Sequence, residues 1–354
     1  MTLAKRPQCT RFFASYYVET AYGQAFNDSA ITKFFAPNDP VLFDIPQTRE
    51  DDADIIKGHE FPSDVDADVI VAQDVSAPVT FRGYLNILGW MFSLISGTDS
   101  VVNSAPNYTH TFKIQDACTN DQPPSTNVVA TFASDTASYY KFKGVCLGEL
   151  KISIDKPGVA IVTGTLIGDG TVTADNTFVP PTTITNTNVV SGVDIGSAFG
   201  GDFEQGPYGG AYTSYKSLFM GADFTINNAL DIADGRLNFA ANAKYLGSLR
   251  FGKRTVSLVV KVQGHQGDLF WVAFLAKTSL MVRLTAAPSA TRSIVIEIAK
   301  CTIQSIKESF NGIRDQNEIT YKAYYETTGS INSPWVVTIK NGDTAYLLPI
   351  TPGM

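Results

Sequence analysis

The chain has 354 residues, of which 44% are hydrophobic and only 17% charged, and its formal net charge is −7. That length exceeds one small core and allows two, and the acidic balance argues against a protein that grips nucleic-acid phosphates. Soluble domains usually carry about 25% charged residues, so the low charge and the many Thr, Val, Ile, Tyr and Phe residues favour strands over solvated helices.

The N-terminal "MTLAKRPQCTRFFASYY" carries basic residues but no apolar run and no small-residue cleavage site, so no secretory signal is expected. From Thr48 to Asp68 the chain packs Glu50, Asp51, Asp52, Asp54, Glu60, Asp64, Asp66 and Asp68 around His59. Asp64, Asp66 and Asp68 match the opening of a calcium-binding loop. The positions where that loop needs a turn glycine and a bidentate glutamate are Val69 and Val75, so the match fails. One histidine among carboxylates lacks the partners of a zinc site. The stretch reads as a solvated or partner-contacting loop, with no metal or cofactor implied.

Next, "DVIVAQDVSAPVTFRGYL" is rich in β-branched residues and reads as strand. In "YLNILGWMFSLIS" (Tyr84 to Ser96), Leu85, Leu88, Phe92 and Ile95 recur at helical spacing, and Trp90 is expected in the core. The run is too short to span a bilayer. "YTHTFKIQ" reads as a strand with His110 on its polar face, and residues 99–135, rich in Pro, Asn, Ser and Thr, read as an insertion. From Tyr140 to Ile154, one parity reads Tyr140, Phe142, Gly144, Cys146, Gly148, Leu150, Ile152 and Ile154, and the other Lys141, Lys143, Val145, Leu147, Glu149, Lys151 and Ser153. This alternation predicts a strand with one face on a core. "DKPG" then turns the chain into "VAIVTGTLIGDG" as a hairpin.

A Gly, Thr and Asn-rich stretch, 176–213, is expected to link a first domain (1–175) to a second (214–354). The second half repeats the order of the first. Strand "RTVSLVVKVQG" leads to helix "GDLFWVAFLAKTS", where Leu269, Phe270, Ala273 and Phe274 recur at helical spacing and Trp271 is expected in the core. Strand "LMVRLTAA" and the pair "SIVIEIAKCTIQSI" and "EITYKAYYE" follow. Trp90 and Trp271 lie 181 residues apart and Cys146 and Cys301 lie 155 apart, which fits an internal duplication with the insertion at 99–135.

No catalytic constellation emerges. "GKRT" lacks the order of a phosphate loop, "LIGDG" lacks a surrounding βαβ unit, and no G-x-S-x-G elbow is present. His59, His110 and His265 are far apart in sequence. Cys9, Cys118, Cys146 and Cys301 form no C-x-x-C pair and read as reduced thiols. Catalytic and metal-ligating residues are therefore not assigned.

"YYKFKGVCLGELKISIDKPGVAIVTGTLIGDG" resembles the hallmark hairpin of tail tube proteins of long-tailed bacteriophages, and "GYLNILGWMFSLISGT" resembles the short helix of that family. "SLFMGADFTINNALD" with "LGSLRFGKRTVSLVVKV" is similar to the start of a second copy in larger members, and "EITYKAYYETTGSINSPWVVTIKNG" to the closing strands. The resemblance covers most of the chain beyond about residue 70. It implies a mainly β fold, two tandem sandwich or barrel domains each flanked by one short helix. It also implies a self-assembling, non-enzymatic virion protein: three chains close a pseudo-sixfold ring, and stacked rings form the tube through which DNA passes.

The implied partners are the chain itself, the tape measure protein, genomic DNA without sequence-specific contact, and tail terminator and tail-tip proteins, with no membrane. Assembly would take place in the host bacterial cytoplasm and the product would be the virion tail. The acidic segment with Glu50, Asp51, Asp52 and Asp54 is expected to contact Arg250, Lys253 and Arg254 of a neighbour between rings. The net charge hints at an acidic lumen to which DNA does not adhere. The alternative is a β-sandwich that binds carbohydrate or a receptor, with exposed tyrosines and tryptophans as platforms. A third reading is a β-rich hydrolase with a carboxylate pair.

Overall fold

The computed structural model describes residues 11–39, 41–51, 68–104, 107–114, 122–131, 139–156, 159–179, 189–190, 202–232, 245–263, 267–311, 314–326, 332–347 and 349–350. These are mainly β. The first half holds β1 (Arg11–Ala14), β2 (Val18–Glu19), β3 (Lys33–Phe35), β4 (Gln47–Asp51), β5 (Asp68–Gln73), β6 (Val75–Arg82) and helix α1 (Leu85–Ser96). It continues with β7 (Ser100–Ser104), β8 (Asn107–Lys113), β9 (Thr126–Thr131), β10 (Tyr139–Lys156), β11 (Val159–Gly168) and β12 (Val172–Asp175). Between the halves lie β13 (Val189–Val190), β14 (Asp202–Pro207) and β15 (Thr213–Ser214). The second half holds β16 (Phe219–Asn227), β17 (Thr255–Gln263), helix α2 (Gly267–Leu275), β18 (Leu280–Ser289), β19 (Arg292–Asn311), β20 (Arg314–Ala323), β21 (Val336–Asn341) and β22 (Pro349–Ile350).

Most strands connect into one barrel-like array, while β2 with β22 and β4 with β5 form separate two-stranded sheets. One antiparallel ladder crosses both halves in the order β6, β11, β10, β16, β17, β20, β19. Branches leave it where long strands change partners: β10 also pairs with β9 and β12, and β19 with β18 and β21. The ladder does not return on itself, because among the described residues β6 and β19 share no pairing.

Period-two alternation explains the single buried face. Val75, Ala77, Val79 and Phe81 of β6 are buried while Pro78 and Arg82 are exposed. The parity read in β10 holds for Phe142, Leu150, Ile152 and Ile154, all buried. Between Val145 and Leu147 both faces are covered, since Cys146 packs with Leu246 and Leu249 on the side away from the main core. The parity switches there because the register shifts between Phe142 and Val145 and again between Leu147 and Glu149, so Val145 and Leu147 face the main core.

Helix α1 is apolar nearly all round and is buried from Leu85 to Ser96 except at Asn86, because β8 and β10 of the first half and β19 and β21 of the second pack against it. Each fully buried Leu, Ile, Phe or Met there is worth roughly 1.5–3 kcal/mol. Gly97 ends the helix in the left-handed region (φ 77°), its N–H donating to the Ser93 carbonyl at 3.1 Å. Gly89 lets the C-terminal segment close onto the helix: a Cβ there would lie 2.2 Å from Tyr346 Oη.

One hydrophobic core runs from Phe12 to Tyr346 and includes both halves. The described part of the expected linker is not a spacer. β14 pairs along its length with β18, and β13 lies parallel to β3. In the described part of the expected insertion, β7 and β8 form a hairpin added to β21, and β9 is buried.

Candidate interaction surfaces

The two halves use the same pairing plan. β6–β11–β10 in the first corresponds to β17–β20–β19 in the second. Both long strands carry an irregularity at the same place: pairing skips Gly148 between Leu147 and Glu149, and skips Gln304 between Ile303 and Ser305. β9 and β12 flank the start of β10 as β18 and β21 flank the start of β19. Val79 pairs with Gly164 where Val260 pairs with Ile319, so β6, α1 and Trp90 align with β17, α2 and Trp271 at the 181-residue offset seen in the sequence.

The helices occupy different environments. Leu88, Met91 and Leu94 of α1 are buried, whereas the aligned Leu269, Val272 and Leu275 of α2 are 60%, 64% and 74% exposed. Trp90 is fully buried, donates from Nε1 to the Ser15 carbonyl at 3.0 Å and packs 4.6 Å from Phe35. Trp271, expected in the core, is only half-buried: it donates to Glu308 Oε1 at 3.2 Å and leans edge-on against Phe274. Among the described side chains of α2, Phe270 and Ala273 turn fully inward, toward β19 on which the helix rests. Spacing reveals that a helix has an apolar stripe; it does not reveal a second apolar face.

The two β10 and β19 strands also differ at their far ends. Residues 149–153 of β10 are paired on both edges, with β11 and with β16. Residues 305–310 of β19 are paired with β20 on one edge, and among the described residues no strand occupies the other. An unpaired stretch of this length in a long strand is a row of backbone donors and acceptors that natural proteins usually cover.

Of the acidic segment, Glu50 and Asp51 lie in β4, which pairs with β5 as a separate hairpin that sets Asp51 opposite Asp68. Asp52, Asp54, His59, Glu60, Asp64 and Asp66 lie outside the described residues, as does His265. The proposed basic partners separate. Arg250 is exposed and its backbone bridges Asp231, with the Asp231 N–H donating to the Arg250 carbonyl at 3.0 Å. Lys253 and Arg254 line a cleft of about 610 Å³ together with Gln304, Lys322 and Tyr325. Arg254 also covers the Phe251 ring at 4.4 Å. Lys322 enters this cleft from β20 and was not legible in sequence, since the rest of the lining comes from four other segments, at Ile114, Lys253 to Ser257, Gln304 and Pro334.

The solvated face of the main ladder mixes charges. Lys261 opposes Glu318, which opposes Lys307, and Lys151 pairs with Asp223 at 3.7 Å. Thr80, Thr163 and Thr225 share this face with Lys151. Opposite charges across neighbouring strands are favourable, each pair by about 0.2–1 kcal/mol. This face carries charges of both signs.

Two buried polar clusters lie inside. His110 is not on a polar face but fully buried, its Nδ1 3.0 Å from Asp99 Oδ1 and its Nε2 2.9 Å from the Asp343 carbonyl. Burial works against its charge, but the hydrogen bond and charge of Asp99, aided by Asp343, outweigh that and raise its pKa. Tyr346 donates to Asp343 Oδ2 at 2.7 Å and accepts from Asn341 Nδ2 at 2.6 Å. In the second cluster Glu19 accepts from the Gly23 and Gly144 N–H groups, Ser125 and Asn127. Burial pushes the Asp169 carboxyl up to about 6 although the Thr171 N–H and Lys143 lean the other way.

These groups tie strands and loops together, and every named carboxylate in them is engaged by protein donors. Among the described residues no group of three or more His, Cys, Asp or Glu side chains could hold a metal ion. Cys146 and Cys301 are buried free thiols, and burial pushes Cys301 up to about 12. Cys9 and Cys118 lie outside the described residues. No described helix is long and apolar enough to cross a membrane. Comparison of the chain with protein-family profiles and with curated proteins returned no match.

Proposed function

We propose that this chain is a structural subunit that closes into rings, and that the rings stack into the tail tube of a long-tailed bacteriophage. The observation that carries the reading is the repeated pairing plan, with its skipped residue at Gly148 and again at Gln304. Two equivalent blocks joined edge to edge in one chain are the beginning of a ring with pseudo-symmetry. The sequence resemblance to tail tube proteins supplies the rest: three chains per ring, DNA passing through the lumen, and no catalytic role.

On this reading the mixed, threonine-rich face of the ladder lines the lumen. Alternating Lys and acidic residues present no sustained field of either sign, so DNA is neither gripped nor strongly repelled. The acidic β4–β5 hairpin and the cleft with Lys253, Arg254 and Lys322 form a complementary pair for contacts between copies. Deletion of Thr48 to Asp54 should stop tube growth while leaving the circular-dichroism spectrum unchanged, and normal tubes from that deletion would refute the hairpin's role. The reading as a whole is tested by negative-stain electron microscopy over a range of protein concentrations. Uniform rings or hollow tubes are expected; compact particles alone at every concentration would sink it.

A further inference from the structure

Within one chain, the far end of β10 is covered by β16 in a register that runs from Glu149 opposite Asn227 to Ile154 opposite Ala222. β16 then pairs with β17, so it cements the first half to the second. The first half has its own version of β16. Asp44 bridges Ser76 of β6, its N–H donating to the Ser76 carbonyl at 2.7 Å and its carbonyl accepting at 3.0 Å. At the 181-residue offset that aligns β6 with β17, Asp44 is the counterpart of Thr225, which opposes Ser257 in β17. Val41 and Phe43 are buried as Ala222 and Phe224 are. The segment "VLFDIP", residues 41–46, thus lies along the outer edge of β6 where β16 lies along β17. Its own outer edge meets no strand among the described residues, whereas that of β16 meets β10.

We infer that residues 41–46 of one copy pair antiparallel with the open edge of β19, residues 305–310, in a second copy, repeating between chains the junction that β16 and β10 make within one. The inference rests on the ring reading and names the surface that closes it. Transferring the β10–β16 register through the matched irregularities puts Pro46 opposite Ser305, Ile45 opposite Ile306, Asp44 opposite Lys307 and Val41 opposite Phe310. The chemistry of the two edges fits this register. Ile45, 37% exposed, and the half-buried Ile306 take the places of Ile226 and Leu150, which are both fully buried within the chain. Asp44 extends the row Lys261, Glu318, Lys307 by one further opposite charge.

Past Ser305 the partner chain runs on from Pro46 toward Gln304, which lines the basic cleft. That directs β4, with Glu50 and Asp51, to Lys253, Arg254 and Lys322 of the copy alongside in the same ring rather than in the next one. The apolar face of α2 belongs to the same junction. α1 is buried because the second half packs over it, and the first half of the neighbouring copy takes that place over Leu269, Val272 and Leu275.

The test is a register-specific cross-link. In an Ile45→Cys/Ile306→Cys chain with Cys9 and Cys118 changed to serine, mild oxidation should convert assembled protein to covalent multimers on a non-reducing gel. Directly opposed strand positions suit a disulfide, whereas positions displaced by two residues are too distant, so Gln47→Cys/Ile306→Cys should give little product. Independently, Lys307→Asp should reduce assembly measured by light scattering, and adding Asp44→Lys should restore it. Linked multimers with charge-swap rescue uphold the pairing. Rings by microscopy with neither link nor rescue overturn the pairing and leave the ring reading standing. Neither rings nor links at any concentration overturn both, and links without rings keep the pairing but overturn ring closure.

Discussion

Adding a single methyl group at Gly89 should unfold the packing of α1 against the C-terminal segment. A Cβ at that position lies 2.2 Å from Tyr346 Oη, 2.4 Å from Cζ and 2.6 Å from Cε2. Tyr346 has little room to yield: it is fully buried, packs 5.2 Å from Tyr16 and 4.9 Å from His110, and is held by Asn341 and Asp343. Overpacking of this kind costs about 1–3 kcal/mol, and displacement of the hydroxyl forfeits two hydrogen bonds at about 1 kcal/mol each. Against this stands a helix-propensity gain of about 1 kcal/mol for Gly to Ala. Gly89→Ala should therefore destabilise the protein by about 2–4 kcal/mol, read as a lower urea midpoint with an unchanged slope. In a Tyr346→Leu background the same change should cost far less, giving a coupling energy between the two sites. If Gly89→Ala instead raises stability by about 1 kcal/mol, the contact does not exist and the helix gains only propensity.

Of the three tryptophans, Trp90 and Trp335 are fully buried and Trp271 is half-buried, so acrylamide should quench one emitter readily and two poorly; equal quenching of all three would contradict the packing of α1. Trp90→Ala should cost about 3–5 kcal/mol by cavity formation. Trp271→Ala should cost under about 1 kcal/mol, since its one hydrogen bond, to Glu308, is at the surface. For pH, the Asp169 carboxyl is raised from 3.8 to about 6 by burial, so between those values the folded state holds more protons than the unfolded one. Its contribution is stabilising below about pH 4 and is lost as pH rises through about 6, a difference on the order of 3 kcal/mol. Asp169→Asn should accordingly raise stability at pH 7 and flatten that part of the pH profile; an unchanged profile would show that Asp169 titrates as an exposed carboxylate does.

Strands, hairpins and helix positions were legible in sequence because they depend on local periodicity. The alternation places Phe142, Leu150, Ile152 and Ile154 on the core as the fold does, but it misassigns 145–147, where Val145 and Leu147 face the main core and Cys146 faces away from it. The 181-residue spacing of the tryptophans reappears as aligned strand pairings, since a repeat in sequence folds by repeating its hydrogen-bond plan. What local pattern leaves open is which faces meet. Trp90 and Trp271 sit at corresponding places in the two helices, yet only the first is enclosed, because β19 and β21 of the second half close over α1 in addition to the nearby β8 and β10. His110 reads as an ordinary polar residue of a strand, but the β7–β8 hairpin carries it against β21 and Asp343, where burial is tolerable only with Asp99 beside it. The basic cleft depends on Lys253, Gln304 and Lys322 meeting at one end of the ladder. The sequence alone thus determined a mainly β chain, for hydrophobic spacing and turn residues act over a few positions. Only the tertiary structure decided that the two halves share one core and that, among the described residues, no strand covers the second edge of the end of β19, because burial and strand pairing are settled between segments distant in the chain.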